Sequence, residues 1–433
     1  MARLKIVYIG GGGTRAPGTL ESFIHQAANF AGSELVLVDL DEANLQLVQQ
    51  LATKMAKTRD ADLTFSATTD RRAALKDANA VLSSFRPGGF EARLLDEQVP
   101  LKYGIIGQET QGPGGFFMAL RAIHCLKQIA DDMQHLCPNA WLFNYTNPVN
   151  IVSQALADHT SLKQVSLCEG PIAFAQHQAE WAGLDPAKVD VTMIGLNHAC
   201  WSIRHLYDGQ PLIPLLAQAH ERLLHDPAAV PYRTRLLGLT AMMDAVPSQY
   251  FRFYYFHEQE VAELLASGKT RSQEILASVP DYWLHYREQL QTDKPLLDPT
   301  RSRGGIHEFE LAIDVMDAIF NDRRELWPVN VVNHGALPDF PNDLVVELPA
   351  HVDRQGLRPL LQSHLPRHLT GLLHMLGNYQ SLAAQAAWHG TRRDAIRALA
   401  SHPLVFSLKK ATAIYDELAA AHQAYLPKQL LKN

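Results

Sequence analysis

Short apolar runs alternate with amphipathic stretches through the first half of the chain. Runs of four to eight residues rich in β-branched side chains are typical of buried parallel strands, and the stretches between them have helical spacing. The predicted strands span residues 4–9, 34–39, 63–67, 80–85, 140–144, 164–168 and 189–194, and the predicted helices span 17–29, 45–57, 115–136 and 148–157. This alternation predicts a doubly wound, Rossmann-like parallel sheet.

Helical spacing dominates the second half. Helices are predicted over 232–243, 254–276, 309–320, 369–389, 392–399 and 404–422, around one short strand-like segment at 344–348. We therefore expect an α/β protein with two domains. Residues 1–195 would form an NAD-binding Rossmann-like domain, and residues 196–433 a mixed, mostly helical α/β domain for substrate, metal and oligomer contacts.

The composition indicates which kinds of molecule the protein binds and in which cellular compartment it works. The 433 residues are 47% hydrophobic and 19% charged, as in ordinary globular proteins, and the net charge of -6 disfavours nucleic acid as a partner. No apolar run approaches the roughly 20 residues that span a bilayer, so no membrane association is expected. Four cysteines are too few for a disulfide framework, and the first residues lack the pattern of a signal peptide. We expect a cytoplasmic protein that binds small molecules.

A glycine-rich turn follows the first predicted strand. It reads Gly10-Gly11-Gly12-Gly13-Thr14-Arg15, and Asp39 ends the second strand. Glycines let a backbone approach a pyrophosphate, and a carboxylate at the second strand binds a ribose diol, which favours NAD over NADP. The alternative is a plain strand-to-helix turn, with Asp39 capping the next helix.

Cys168 and His198 each follow an apolar, strand-like run, so both can lie at strand ends in one cleft. A thiolate and an imidazole suit a transition-metal ion, and two protein ligands leave positions open for substrate oxygens. Each residue alone would be interpreted as part of a core. Together, beside a nucleotide turn, they predict a metal site for redox chemistry at a carbon that bears a hydroxyl.

Several segments, in order, resemble family 4 of the glycoside hydrolases, the NAD- and Mn²⁺-dependent glycosidases. The resemblance covers most of the chain, and two of the segments resemble the family's phosphosugar branch in particular. It rests on the glycine-rich turn and on segments 85–97 (Phe-Arg-Pro-Gly-Gly-Phe-Glu-Ala-Arg-Leu-Leu-Asp-Glu), 101–116 (with Gln-Glu-Thr-Gln-Gly-Pro-Gly-Gly), 144–149 (Asn-Tyr-Thr-Asn-Pro-Val), 195–198 (Gly-Leu-Asn-His) and 335–343.

The resemblance implies a glycosidase reaction without net redox change. Hydride leaves C3 of the sugar for NAD⁺, a base removes the C2 proton beside a divalent metal, and the C1 leaving group is eliminated. Water then adds and hydride returns to C3. In this interpretation Cys168 and His198 bind Mn²⁺ or another divalent transition metal, and Tyr250 is the base.

The same resemblance assigns the substrate contacts. Arg93 and Arg271 are expected to hold a 6-phosphate, because guanidinium groups bind phosphate bidentately. Asn147 and Asn333 are expected to bind sugar hydroxyls. Glu109 is expected to contact the residues that bind the substrate. The family also implies a homodimer or homotetramer.

Departures from the family pattern leave the anomer and the sugar open. Glu169 stands where β-type phosphoglucosidases often have Asn and α-type ones an acidic Asp, so it could protonate a leaving group. The segments around 85–117 are closer to the β type, whereas Pro87 and the Ile-His-Glu after Arg303-Gly-Gly are unusual. We expect a 6-phospho-β-glucosidase. The alternatives are an α-type enzyme, a glycosidase for unphosphorylated or acidic sugars, a lactate- or malate-type dehydrogenase, and a non-catalytic nucleotide-binding regulator.

Overall fold

One 12-stranded mixed sheet organises the computed structural model, which describes residues 1–303 and 310–432. The strands are β1 (Lys5–Ile9), β2 (Ser33–Val38), β3 (Leu63–Thr68), β4 (Ala80–Ser83), β5 (Trp141–Asn144), β6 (Lys163–Ser166), β7 (Val189–Leu196), β8 (Ala199–Tyr207), β9 (Gln210–Pro211), β10 (Glu325–Val332), β11 (Val345–Asp353) and β12 (Gly356–Pro359). Their order is β3-β2-β1-β4-β5-β6-β10-β11-β7-β8-β9, with β12 beside β11. Strands β1 to β6 pair in parallel, as the buried apolar runs predict.

Helices cover the sheet and connect its strands. They are α1 (Ala16–His25), α2 (Glu42–Thr58), α3 (Arg71–Leu75), α4 (Gly89–Leu101), α5 (Gly112–Leu136), α6 (Val149–His159), α7 (Gly170–Trp181), α8 (Ile213–Leu223), α9 (Pro231–Met243), α10 (Arg252–Tyr255), α11 (His257–Ser267), α12 (Arg271–Gln291), α13 (Leu311–Phe320), α14 (Arg367–His389), α15 (Arg392–Ser401), α16 (Leu408–Ala421) and α17 (Lys428–Leu431). Among the described residues, none of the helices has both the length and the apolar character needed to cross a bilayer.

The two halves of the chain share one sheet and one apolar core. Strand β10 pairs with β6, and β11 pairs with β7, so the sheet is continuous from the first half into the second. Helices α14 and α16 pack on α5, and Phe117, Ala383 and Leu418 are buried together there. Strand β7 contains the predicted boundary at residue 195. The division into domains 1–195 and 196–433 stays a prediction.

Two sequence predictions for the second half differ from the structure. The single helix predicted over 254–276 falls on three helices: the end of α10, all of α11 and the start of α12. Gly268, with a left-handed φ of 62°, separates α11 from α12. The strands β8, β9, β10 and β12 were not expected, whereas β11 extends the strand predicted at 344–348. Phe309, the first residue of one predicted helix, and the Ile-His-Glu after Gly305 lie outside the described residues.

A buried ion pair joins α4 to α5 and α16. Asp96 and Arg121 are both fully buried, with Arg121 Nη1 and Nη2 at 2.9 and 2.5 Å from the carboxylate, and His422 Nε2 lies 2.9 Å from Asp96 Oδ1. We expect Asp96→Asn to lower the free energy of unfolding by about 3–5 kcal/mol, because it leaves the arginine charge buried without a counterion. Urea denaturation measures the loss.

The exposed Asp190–Arg204 pair provides the matched control. Its side chains are 54% and 55% exposed, so Asp190→Asn should change the free energy of unfolding by less than about 1 kcal/mol. Equal effects of the two substitutions would contradict a structural role for the Asp96 pair.

Candidate active site

A cleft of about 910 Å³ opens at the carboxyl ends of β1, β2, β4, β5 and β6. The strand order reverses between β1 and β4, the position where open parallel sheets bind ligands. Ten of the residues singled out from the sequence line it: Gly10, Gly12, Gly13, Thr14, Asp39, Glu109, Asn147, Cys168, Glu169 and His198. One continuous cleft therefore holds the predicted nucleotide turn and the predicted metal pair.

The glycine turn at the end of β1 tolerates no side chain at three positions. A Cβ on Gly10, whose φ is 96°, would lie 2.1 Å from the carbonyl oxygen of Ser84. A Cβ on Gly11 would lie 2.9 Å from Leu37 Cβ of β2, and one on Gly12 would lie 2.9 Å from Asp39 Cβ. Helix α1 begins directly after the turn and no side chain caps it, so its first N–H groups can bind a pyrophosphate. The turn fits a dinucleotide.

Asp39 braces this turn and does not cap a helix. Its Oδ2 accepts a hydrogen bond from the Gly12 N–H at 3.0 Å, and its Oδ1 accepts one from the Leu40 N–H at 2.7 Å. Asp41 caps α2, accepting from the Asn44 N–H. The capping alternative for Asp39 is therefore wrong.

We expect Asp39→Ala to weaken NAD⁺ binding by about 1.5–3 kcal/mol for each charge-assisted hydrogen bond to the ribose that it removes. Calorimetric titration with NAD⁺ measures the change. The matched control is Asp41→Ala, which should cost about 1 kcal/mol of stability through the lost cap and leave NAD⁺ affinity unchanged. Unchanged affinity in Asp39→Ala would exclude Asp39 from the ribose site.

Cys168 lies just beyond β6, where its Sγ accepts a hydrogen bond from the Gly170 N–H at 3.4 Å. Burial raises the pKa of its thiol to about 12, and the nearby Glu347 charge adds to the shift. Because the thiolate is the form that binds metals, cation binding at this sulfur would release a proton.

His198 occupies the tight turn between β7 and β8 with a left-handed φ of 63°. Burial lowers its pKa to about 4, so the ring is the neutral imidazole that metals bind. Within residues 1–303 and 310–432 no group of three or more His, Cys, Asp or Glu side chains is arranged to hold a metal ion. The Cys168–His198 pair therefore fits an open site whose remaining ligands come from elsewhere, such as substrate oxygens.

A buried carboxyl group fixes the turn that carries His198. Glu347 Oε1 accepts hydrogen bonds from Asn197 Nδ2 at 2.8 Å and from Asn330 Nδ2 at 2.9 Å. Glu347 belongs to β11 and is 1% exposed, and burial raises its pKa to about 7. The position of His198 is thus set by strands β10 and β11, which lie between β6 and β7.

Tyr250 stacks on the ring of His198, with ring centroids 3.8 Å apart and planes 11° from parallel. Burial raises the pKa of its hydroxyl, and the negative charges of Cys168 and Glu109 raise it further. The predicted base therefore lies beside the predicted metal pair.

Glu169 is held in an ion pair. Its Oε1 lies 3.1 Å from Arg15 Nη2, which is also 3.1 Å from Glu310 Oε1. Both carboxylates raise the pKa of Arg15, the Glu310 charge most strongly. Sequence reasoning gave Arg15 no role, because it stands where the dinucleotide fingerprint has its third glycine.

Three arginines surround Glu109, and two of them, Arg86 and Arg303, line the cleft with it. Glu109 Oε2 lies 2.6 Å from Arg86 Nη2 and 2.8 Å from Arg93 Nη1. Burial disfavours the carboxylate, but these two charges hold its pKa below the usual value. The pKa of Arg303 falls to about 10, mainly through burial and also through repulsion from Arg86. The positive charge in this group therefore exceeds what Glu109 balances.

The arginines do not all lie where the sequence suggested. Arg93 is buried and paired with Glu97 as well as Glu109. The side chain of Arg271 is 69% exposed, pairs with Glu274, and does not line the cleft. Arg86 and Arg303, which do line it, had been assigned no role, although both belong to segments that carried the family resemblance.

The two asparagines have different environments. Asn147 lines the cleft, and its Oδ1 is buried without a hydrogen-bond partner, so a ligand donor would satisfy it. The Asn333 amide group is fully engaged in its own loop. Its Nδ2 donates to the carbonyls of Leu337, Phe340 and Pro341, and its Oδ1 accepts from the Leu337 N–H. Asn333 thus shapes its own loop, and its contact with a sugar hydroxyl stays a prediction.

Known proteins are similar to this chain in sequence and in fold over nearly its full length. The sequence model "Family 4 glycosyl hydrolase" matches residues 5–184, and "Family 4 glycosyl hydrolase C-terminal domain" matches residues 193–405. A Bacillus subtilis (strain 168) protein described as "Probable 6-phospho-beta-glucosidase" is 35% identical, with 98% of both chains covered. The "6-phospho-beta-glucosidase" of Escherichia coli (strain K12) is 31% identical, with 98% of this chain and 96% of that protein covered.

A solved structure agrees with these matches. It is a 6-phospho-alpha-glucosidase from gut microorganisms in complex with NAD and Mn²⁺, 25% identical, with a TM-score of 0.86 over 98% of this chain and 99% of that one. The present chain belongs to family 4 of the glycosyl hydrolases. It is thus a glycoside hydrolase, which decides against the dehydrogenase and the non-catalytic regulator.

Proposed function

We propose that the protein hydrolyses 6-phospho-β-glucosides, with NAD and a divalent transition metal such as Mn²⁺ bound in the cleft. The observation that carries this proposal is that the glycine turn, the Cys168–His198 pair and two of the arginines, Arg86 and Arg303, line one cleft, with Arg93 paired to Glu109 in its wall. When bound, NAD⁺ would supply reversible hydride chemistry and the cation would polarise sugar oxygens.

The protein's own residues bind the nucleotide, accept the proton and orient the sugar. The turn at Gly10–Gly13 and Asp39 hold the nucleotide at one end of the cleft. Tyr250, beside His198, would accept the C2 proton of the sugar as a tyrosinate, once a bound divalent cation lowers the pKa of its hydroxyl. The unpartnered Oδ1 of Asn147 accepts a hydrogen bond from a sugar hydroxyl. The ring stack keeps the Tyr250 ring adjacent to His198, so the base would act beside a cation held by that histidine.

The environment of Glu169 supports the β rather than the α anomer. A general acid has to carry a proton, whereas an arginine partner favours the ionised carboxylate. Glu169 is paired with Arg15, itself anchored by the buried Glu310. We infer that Glu169 holds Arg15 at the nucleotide end of the cleft and does not protonate a leaving group. The chain is more similar in sequence to the two β-type relatives, at 35% and 31% identity, than to the α-type structure, at 25%, and this supports the same choice.

Paired substrates test this function. Purified enzyme with Mn²⁺, NAD⁺ and a thiol reductant is given chromogenic 6-phospho-β- and 6-phospho-α-glucosides. We expect release from the β substrate without accumulation of NADH. Release from the α substrate alone would reverse the anomeric assignment, and net NADH formation would contradict the elimination mechanism.

The 6-phosphate is the proposed counterion of the arginine group Arg86, Arg93 and Arg303. Arg93→Ala should cost the phosphorylated substrate several kcal/mol in kcat/KM, on the order of the 2–5 kcal/mol lost when a buried charge partner is truncated. The unphosphorylated glucoside should be nearly unaffected. Steady-state turnover of both substrates measures the difference.

Arg271→Ala is the matched control, because its side chain is exposed and paired only locally in the structure. It should leave both substrates nearly unchanged. Equal turnover of phosphorylated and free substrate by the wild type would contradict phosphate recognition and favour a free or acidic sugar.

We also propose that the enzyme works in the cytoplasm as a homodimer or homotetramer. Cys125, Cys137, Cys168 and Cys200 are all free thiols, and the metal pair needs a reduced sulfur. Light scattering after gel filtration gives the assembly state, and a monomer at working concentration would contradict it.

A further inference from the structure

The loop Gln108–Gln111 lies behind His198. Thr110 is 7% exposed, and its Oγ1 is 3.1 Å from His198 Nδ1. A neutral histidine ring carries one N–H and one lone pair, and the hydrogen bond at one nitrogen decides which nitrogen can bind a metal. A hydroxyl, however, can donate or accept, so the Thr110 contact alone does not fix the ring.

Gln108 removes that ambiguity. The same side-chain atom of Gln108 lies 2.6 Å from the Thr110 N–H and 2.8 Å from the Gln111 N–H. Backbone N–H groups only donate, so this atom is the amide oxygen, Oε1. The Thr110 hydroxyl is 2.9 Å from it. A carbonyl oxygen only accepts, so the hydroxyl proton points to Gln108.

The direction of that proton determines the histidine tautomer. With its proton given to Gln108, Thr110 Oγ1 offers lone pairs to the other neighbours. The Gln111 amide Nε2, whose Oε1 accepts from Tyr254, lies 3.4 Å away and donates. His198 Nδ1 must then donate as well, so it carries the proton and Nε2 keeps its lone pair.

Glycines hold the loop at this position. A Cβ on Gly115 would lie 2.3 Å from the Thr110 carbonyl carbon, and one on Gly107 would lie 1.7 Å from the Glu97 carbonyl oxygen. A Cβ on Gly114 would lie 2.3 Å from the Gln108 carbonyl oxygen. The loop therefore packs directly against helices α4 and α5, and Thr110 cannot withdraw from His198 without moving them.

We propose that Thr110, with its proton committed to Gln108, is a positioning residue that fixes His198 as the Nδ1–H tautomer and presents Nε2 to the metal. This inference rests on the proposed function in one respect, that His198 is a metal ligand. The tautomer itself follows from hydrogen bonds that are present without any metal.

Nitrogen NMR of metal-free enzyme labelled with ¹⁵N-histidine measures the tautomer of His198 directly in the wild type. The His198 signals are those lost in His198→Gln. We expect protonated Nδ1 and unprotonated Nε2 at neutral pH. In Thr110→Val the proton should redistribute between the nitrogens, and Thr110→Ser, which keeps the hydroxyl, should restore the wild-type pattern. An Nε2–H ring in the wild type would overturn the proposal.

Mn²⁺ affinity, measured by electron paramagnetic resonance of the free ion with NAD⁺ present, tests the consequence for the metal. Removing such a hydrogen-bond partner costs roughly 10- to 100-fold in metal affinity, and we expect this loss for Thr110→Val but not for Thr110→Ser. NAD⁺ affinity should be unchanged in both. Wild-type Mn²⁺ affinity in Thr110→Val would overturn the positioning role.

The same titration on His198→Gln separates this inference from the proposed function. Loss of Mn²⁺ binding supports His198 as a ligand. Retained binding would overturn the metal assignment, and with it the purpose proposed for Thr110, whatever tautomer the NMR spectrum reports.

Discussion

Cys168→Ser and His198→Ala should each abolish sugar release and leave NAD⁺ affinity close to that of the wild type. Both residues line the cleft where the sugar is proposed to bind, whereas the nucleotide is expected on the Gly10–Gly13 turn. Each substitution removes one of the two proposed protein ligands, so Mn²⁺ binding should fail together with turnover.

Calorimetry with Mn²⁺ and with NAD⁺, alongside turnover, measures these effects. The matched control is Cys137→Ser, which removes a thiol that directly follows α5 and is buried in the core. It should lower stability but keep the activity of the folded enzyme. Full activity in either Cys168→Ser or His198→Ala would exclude that residue as a metal ligand.

Tyr250→Phe should lower kcat by roughly 100- to 10,000-fold, the usual range for the loss of a general base. Phenylalanine keeps the ring that stacks on His198 at 3.8 Å and removes only the hydroxyl. The specific readout is exchange of the sugar C2 hydrogen with deuterated water, which should stop. Hydride exchange at C3 depends on the nucleotide and should continue.

Tyr255→Phe is the control within the same aromatic segment. Its ring packs against Trp201 and Phe251 and is 36% exposed. Turnover should be unchanged by this substitution. Wild-type C2 exchange in Tyr250→Phe would transfer the role of base to another group.

The parallel half of the sheet could be predicted because its strands are buried on both faces. Strands β1, β2 and β4 have nearly unbroken apolar sequences, which leave few alternatives. Strand β10 escaped prediction because it begins with two exposed residues, Glu325 and Leu326, and contains Pro328. Its place between β6 and β11 depends on contacts distant in sequence, which local patterns do not encode.

The candidate site was predictable where chemistry and chain position agree. Cys168, His198 and Asp39 directly follow or connect strands, so their place at the sheet edge follows from the strand pattern. Asn333 and Arg271 had equally suitable chemistry, but sequence does not show where a side chain points. Asn333 forms hydrogen bonds within its own loop, and Arg271 is exposed to solvent and pairs with Glu274.

Strands β10 and β11 lie between the strand that ends at Cys168 and the hairpin that carries His198. During synthesis both residues leave the ribosome long before these strands do. Until residue 353 has emerged, the sheet between β6 and β7 is incomplete, and Asn197 has no Glu347 to bind. The parallel half of the sheet can therefore form during synthesis before the two strands that join its thiol to the imidazole hairpin.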